Sequence, residues 1–259
     1  MTDKPDLLIE RPGPGQLLLR LNRPERRNAL ATPLLSALAD ALAETVDDPD
    51  VRAVIVTGDT KVFAAGADIR ELAASGPDDA PHGPRQMAWD TIRHFPKPLI
   101  AAVEGWCLGA GCELLMCCDL SVAGDGAQFG QPESSLGIIP GAGGTATLTR
   151  LVGRTLAMRM VLTGESITAE RALAAGLVGE LVPAGQALAR ALELARLIAG
   201  RAPLALAAGK ASVKAALDLP HGEHLRDERR YFLALLGTED KREGVTAFLE
   251  KRKPLWLGR

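Results

Sequence analysis

The sequence predicts an α/β layered fold that gives way to an almost purely helical C-terminal region. Three observations carry this reading. Short β-branched or apolar runs alternate with helical periodicity along the first part of the chain. Glycine-rich segments stand where such strands end, at residues 63–68, 108–113 and 130–145. From Gln186 onward the strand signals stop and the apolar spacing is helical.

The elements follow in order. Residues 16–21 read as a strand, closed by Asn22-Arg23-Pro24. Thr32-Pro33 opens a helix, with Thr32 as the expected N-cap and Pro33 at the first helical position. Its apolar residues recur to Val46, and residues 47–50 stop it. Residues 51–57 form a β-branched strand ending at Gly58-Asp59, and residues 99–103 and 120–123 are further strands. Residues 73–85, rich in Gly, Pro, Asp and Ala, are expected to form a mobile surface loop. Helices are expected over 187–199, 204–217, 223–236 and 241–251. A boundary near residues 196–201 separates a core of residues 1–198 from a helical region of residues 199–259. The apolar face of that region points to packing, either on its own core or on a second copy.

Composition narrows the function. Of 259 residues, 47% are hydrophobic and 24% charged, which is ordinary for a globular chain. The first fifteen residues are polar and contain no apolar signal core, and no apolar run reaches the roughly 18 residues of a membrane span. A soluble, cytoplasmic protein is expected. With a net charge of −2 and Lys251-Arg252-Lys253 as the densest basic run, nucleic acid is not the expected ligand. Cys107, Cys112, Cys117 and Cys118 lack the paired C-x-x-C of a zinc site and are expected as buried free thiols. His82, His94, His221 and His224 read as surface residues. The H-x-x-H pair of the last two has no third ligand in view, so no metal is expected.

The chemistry concentrates where glycine meets acid. Residues 99–118 read as a strand, the small-residue turn Gly109-Ala110-Gly111, and a helix N-terminus. The first N–H groups of such a helix have no internal partner and the dipole favours negative charge there. That suits an oxyanion, although a tight packing turn explains the same glycines. Glu113 falls in the first turn of this helix among apolar residues. It fits either a dipole-complementing surface residue or a carboxylate buried for a reason. Glu133, between Pro132 and a second glycine-rich stretch, poses the same question. Two carboxylates in one pocket would have their pKa values pushed apart, giving a base and an acid near neutrality. No phosphate loop and no G-x-S-x-G elbow is present.

Taken together, residues 63–68, 109–113, Pro132-Glu133 and 140–145, in that order, resemble the crotonase, or enoyl-CoA hydratase/isomerase, superfamily. The likeness runs from residues 21–30 to residues 247–253. It implies a spiral of ββα units followed by a helical oligomerisation region that builds trimers, commonly paired into hexamers. It also implies an acyl-CoA substrate, and no cofactor beyond the coenzyme A carried by that substrate. The N–H groups of Ala67 and Ala110 would form the oxyanion hole. Glu113 and Glu133 match the two catalytic glutamates of hydratases, and the Gly141 N–H would help hold the reacting water. Ala65, Asp68, Ile69 and Arg70 would line the coenzyme A site and Arg27 would meet a phosphate. Phe248 and Lys251 match positions that reach the coenzyme A of a neighbouring subunit. The implied activity is hydration of a 2-enoyl-CoA. A double-bond isomerase and a non-catalytic RNA-binding or structural member are the alternatives. The chain departs from the family pattern at Glu104, Trp106, Ser134-Ser135 and Ala146-Thr147.

Overall fold

The structure, a computed structural model, describes residues 4–76 and 83–259. The chain opens with β1 (Leu7–Glu10) and β2 (Gly15–Leu21), an antiparallel pair. Next come α1 (Thr32–Glu44), β3 (Val51–Thr57), β4 (Val62–Ala64), α2 (Ile69–Ala74) and α3 (Pro84–His94). The middle of the chain supplies β5 (Leu99–Val103), β6 (Trp106–Leu108), α4 (Ala110–Cys117), β7 (Leu120–Gly124) and β8 (Gln128–Gly130). After a 3-10 turn at Pro132–Leu136 follow α5 (Ala146–Thr163), β9 (Ile167–Thr168), α6 (Ala169–Ala175) and β10 (Glu180–Val182). The chain finishes with α7 (Ala187–Ala199), α8 (Pro203–Ala215), α9 (His221–Leu236) and α10 (Glu239–Leu249).

The strands sort into two sheets, ordered β1-β2-β3-β5-β7-β10 and β4-β6-β8-β9. Each of the successive pairs β3/β4, β5/β6 and β7/β8 gives its first strand to the large sheet and its second to the small one. Within both sheets these strands run parallel. This is the spiral of ββα units expected. A parallel strand covered on both faces needs apolar residues throughout. Accordingly Val54, Ile55 and Val56 of β3 are all buried.

One face of the large sheet meets α7 through Ala187, Ala191 and Ala195, a ridge at helical spacing against Leu18, Ala53, Ile55, Ile100 and Val122. The other face closes over α1 and over Phe63 and Phe129, both fully buried. Each such ring contributes about 1.5–3 kcal/mol of burial.

Two local expectations are corrected. Ala31, not Thr32, occupies the N-cap of α1. The Thr32 N–H and hydroxyl both donate to Glu71 Oε2, at 2.8 and 2.9 Å, so a distant carboxylate caps the helix. The stretch expected as a loop begins inside α2 and ends inside α3, because Asp68 caps α2 through the Arg70 N–H and Pro84 starts α3. Its residues 77–82, and His82 with them, lie outside the described residues.

Two carboxylates brace the C-terminal elements. Glu104 Oε1 accepts the N–H groups of Gly185 and Ala187 at 2.9 and 3.0 Å, fixing the start of α7. Asp119 accepts the Leu99 N–H at 2.8 Å and pairs with Lys210 of α8 at 2.6 Å, tying that helix to the sheet. Cys107, Cys112 and Cys117 are buried free thiols as expected, while Cys118 is partly exposed. His94 is exposed, and the partly buried His224 bonds the Ser212 carbonyl at 2.8 Å. No helix of the described residues is long and apolar enough to cross a membrane.

Candidate active site

The site lies where the turns after β4, β6 and β8 meet. The turn from β6 into α4 is made by Gly109, at φ 50° and ψ −124°, a conformation open to glycine. Its N–H donates to the Gly130 carbonyl at 2.9 Å, so the first turn of α4 is pinned to the end of β8. A Cβ at Gly109 would lie 2.7 Å from Glu133 Oε1 and 3.6 Å from the Cα of Gly66. One point therefore touches all three glycine-and-acid segments singled out in the sequence.

The Gly66 carbonyl is held by the Leu30 N–H at 2.8 Å, and the Ala65 N–H donates to the Arg27 carbonyl at 3.1 Å. These bonds fix the backbone on either side of Ala67. Among the described residues, the N–H groups of Ala67 and Ala110 have no acceptor. Ala110 is the first residue of α4, where the helix leaves its N–H groups unpaired.

Glu113, in the first turn of α4, is 3% exposed, so the carboxylate is buried for a reason. Its Oε1 accepts the Ala142 N–H at 2.6 Å and the Gly144 N–H at 2.8 Å, and among the described residues no donor is given to Oε2. Burial raises its pKa, against the two N–H donors and then the Arg85 and Arg93 guanidiniums, which favour the ionised form. Glu133 lies in the turn at Pro132–Leu136. Burial pushes its pKa up to about 7, opposed by its own backbone N–H and reinforced by the negative charge of Glu113.

Gln131 stands against Glu133, and sequence reasoning missed it. Its buried side-chain amide sets the NH2 3.1 and 3.2 Å from the Glu133 oxygens. The same amide and Glu113 Oε1 both lie within 3.0 Å of a Cβ placed on Gly144. The segment Gly130-Gln131-Pro132-Glu133 showed the residue but not its direction, which only the β8 register settles.

Other predicted residues fall variously. Gly141 is exposed and immediately precedes Ala142, whose N–H binds Glu113. Asp68 pairs with Arg23 at 3.3 Å as well as capping α2. Burial works to raise its pKa, but the Arg70 N–H and Arg23 outweigh it and the net shift is downward. Ile69 and Arg70 are exposed beside it, and Arg27 is exposed with a left-handed backbone at φ 52°. Phe248 and Lys251 are exposed at the far end of the chain and are not brought to the site. Phe248 instead lines an apolar groove of about 570 Å³ with Leu204, Phe232 and Trp256.

Two carboxyl groups of unlike protonation tendency, beside two unpaired amides, can polarise a carbonyl and move protons on carbons next to it. The ββα spiral and this site define the class, and the comparisons agree with it. Residues 15–259 match the model of the enoyl-CoA hydratase/isomerase family. The chain is 47% identical over 243 residues to 2,3-dehydroadipyl-CoA hydratase of Escherichia coli K12, covering 94% of this chain and 95% of that one. It is 45% identical over 236 residues to the mitochondrial enoyl-CoA hydratase of Pongo abelii, covering 91% and 81%. An enoyl-CoA hydratase subunit structure from Geobacillus kaustophilus superposes with a TM-score of 0.94 at 36% identity, covering all of both chains. The chain belongs to the enoyl-CoA hydratase/isomerase family, the crotonase superfamily.

Proposed function

We propose that the protein is an enoyl-CoA hydratase, adding water reversibly and syn across the 2,3 double bond of a trans-2-enoyl-CoA. The observation that carries this reading is the convergence of Glu113 and Glu133 beside the Ala67 and Ala110 amides. Hydration needs one group to take a proton from water and another to give one to C2, and both acids are present. The amides would hold the thioester oxygen and stabilise the enolate-like transition state, with about 3–4 kcal/mol from each donor.

The roles of the acids follow from their partners. Glu113 receives two N–H bonds and faces two guanidiniums, so it is the ionised base that takes a proton from water. The Gly141 N–H helps to hold that water. Glu133, with its pKa near 7, holds the proton that goes to C2. Water oxygen bonds to C3, the 2,3 π bond breaks, and the enolate collapses as C2 is protonated. No cofactor takes part beyond the coenzyme A of the substrate.

Asp68, Ile69, Arg70, Ala65 and Arg27 surround the oxyanion segment and are proposed to take the coenzyme A. The core of residues 1–198 and the helical region of residues 199–259 are proposed as the two parts of a cytoplasmic homotrimer or homohexamer. There Phe248 and Lys251 would reach the coenzyme A of a neighbouring copy. The exposure of Phe248 (82%) and Leu249 (74%) supports that assembly.

Incubation with crotonyl-CoA tests the reading through the enoyl absorbance, which should fall as 3-hydroxybutyryl-CoA forms. Unchanged absorbance together with conversion of a 3-enoyl-CoA to its 2-enoyl isomer would assign the chain to isomerisation instead.

A further inference from the structure

Glu113 is held by a loop, and that loop is held by Arg93. Ala142 and Gly144 both turn their N–H groups onto Glu113 Oε1, at 2.6 and 2.8 Å. Amides two residues apart converge on one oxygen across Gly143, whose φ of 108° suits glycine. The carbonyls of this stretch have other partners. That of Gly143 accepts the Thr147 N–H at 2.8 Å, where α5 begins. That of Ala142 accepts Arg93 Nη2 at 3.1 Å. Arg93 therefore grips the peptide lying between the two that hold the acid.

Arg93 is itself fixed in place. It stands in the last turn of α3, where the helix dipole favours a cation. Its Nη1 donates to Asp90 Oδ1 at 3.0 Å, and its own carbonyl accepts Lys214 Nζ of α8 at 3.1 Å. The side chain is 36% exposed, so filling the core is not its task. Its charge also reaches Glu113. Among the described residues, the Arg85 and Arg93 guanidiniums of α3 act on that acid, and Glu133 and the Cys117 thiol are its titratable neighbours. With the cation gone and the loop loosened, ionised Glu113 would keep less of what offsets its burial.

We propose that Arg93 is a positioning residue for hydration, clamping the Ala142 carbonyl so that the loop at 142–144 holds Glu113 ready to take a proton from water. This rests on the hydratase reading and adds a residue to it. Arg93 acts through Ala142 in this account and takes no part in proton transfer.

The test is steady-state kinetics on crotonyl-CoA with three variants. Arg93→Met has neither donor nor charge, Arg93→Gln keeps a neutral donor, and Arg93→Lys keeps both. Arg93→Met should lower kcat about 10- to 100-fold, the scale of a small misplacement of a catalytic group, with KM within about threefold of wild type. The acid limb of kcat/KM should move to higher pH, because a base whose ionised form loses support is protonated more readily. Arg93→Lys should recover most of kcat and bring the limb back toward its wild-type place. Amide hydrogen exchange at residues 140–145 should be faster in Arg93→Met than in wild type. If Arg93→Met does not fold, Arg93→Gln carries the test, since it also lacks the charge and should show the raised limb. An acid limb left in its wild-type place by the folded variant, or a kcat loss that Arg93→Lys does not recover, would overturn the proposal and reduce Arg93 to an anchor of α3. Either result leaves wild-type hydration intact. If the wild-type protein does not hydrate crotonyl-CoA, the hydratase reading itself falls.

Discussion

Glu133 Oε1 occupies the space that a side chain on Gly109 would fill, 2.7 Å from where its Cβ would sit. The residue that leads into the first turn of α4 and the acid beyond β8 are therefore fitted to each other. Gly109→Ala breaks that fit twice, through the clash and through a backbone at φ 50° and ψ −124°. The variant should lose about 100-fold or more in kcat/KM, because the Ala110 amide and Glu133 are both displaced. Steady-state kinetics alongside a melting curve check this. A variant within threefold of wild type would show that neither group needs its present place.

A carboxyl with its pKa near 7 makes activity depend on pH. As a proton donor Glu133 should give kcat/KM an alkaline limb with an apparent pKa around 7. The sign for stability is the reverse of the usual carboxylate case. Between its unfolded value of 4.5 and its folded value of about 7, the folded chain binds more protons than the unfolded one. Stability from this group is therefore full below pH 4.5 and declines as pH rises toward 7. Glu133→Gln should flatten that decline in pH-dependent melting and lower turnover by about 100- to 10,000-fold. An alkaline limb that persists unchanged in the variant would assign it to another group.

Glu113 separates structure from chemistry. Glu113→Gln keeps an oxygen for the Ala142 and Gly144 N–H groups, so the fold should hold while turnover collapses. Glu113→Leu leaves both donors without that acceptor and should also cost about 1–3 kcal/mol per donor. Denaturant titration of the two variants distinguishes these outcomes, and equal stability would mean that the loop at 142–144 has other support.

Asp119 is the joint between sheet and C-terminal helices. Asp119→Ala leaves the Lys210 ammonium, 8% exposed, without its carboxylate at 2.6 Å. A loss of about 3–5 kcal/mol is expected, measured as a shift in the denaturation midpoint. A loss below 1 kcal/mol would show that Lys210 is satisfied by the Lys97 carbonyl alone.

Much of this was legible in the sequence, for definite reasons. Strands such as β3 and β5 are continuous apolar runs because parallel strands are buried on both faces. The glycine-and-acid segments stood out because glycine beside a carboxylate is a local pattern. Groups recruited across space were not legible. The cap of α1 comes from Glu71, residues away in another helix, and displaced the locally sensible Thr32. Gln131 is an ordinary polar residue in sequence, and only the packing of β8 turns it toward Glu133. Glu104, a departure from the family pattern, proves to be the clamp on α7.

The central claim is that Glu113 and Glu133 act as one unit on one substrate, and a double-mutant cycle in kcat measures this directly. Groups sharing a single step give losses that do not multiply. Glu113→Gln, Glu133→Gln and the double variant should therefore hydrate crotonyl-CoA at similarly low rates. If the double variant is slower by the full product of the two single losses, the two acids work independently and the account is wrong.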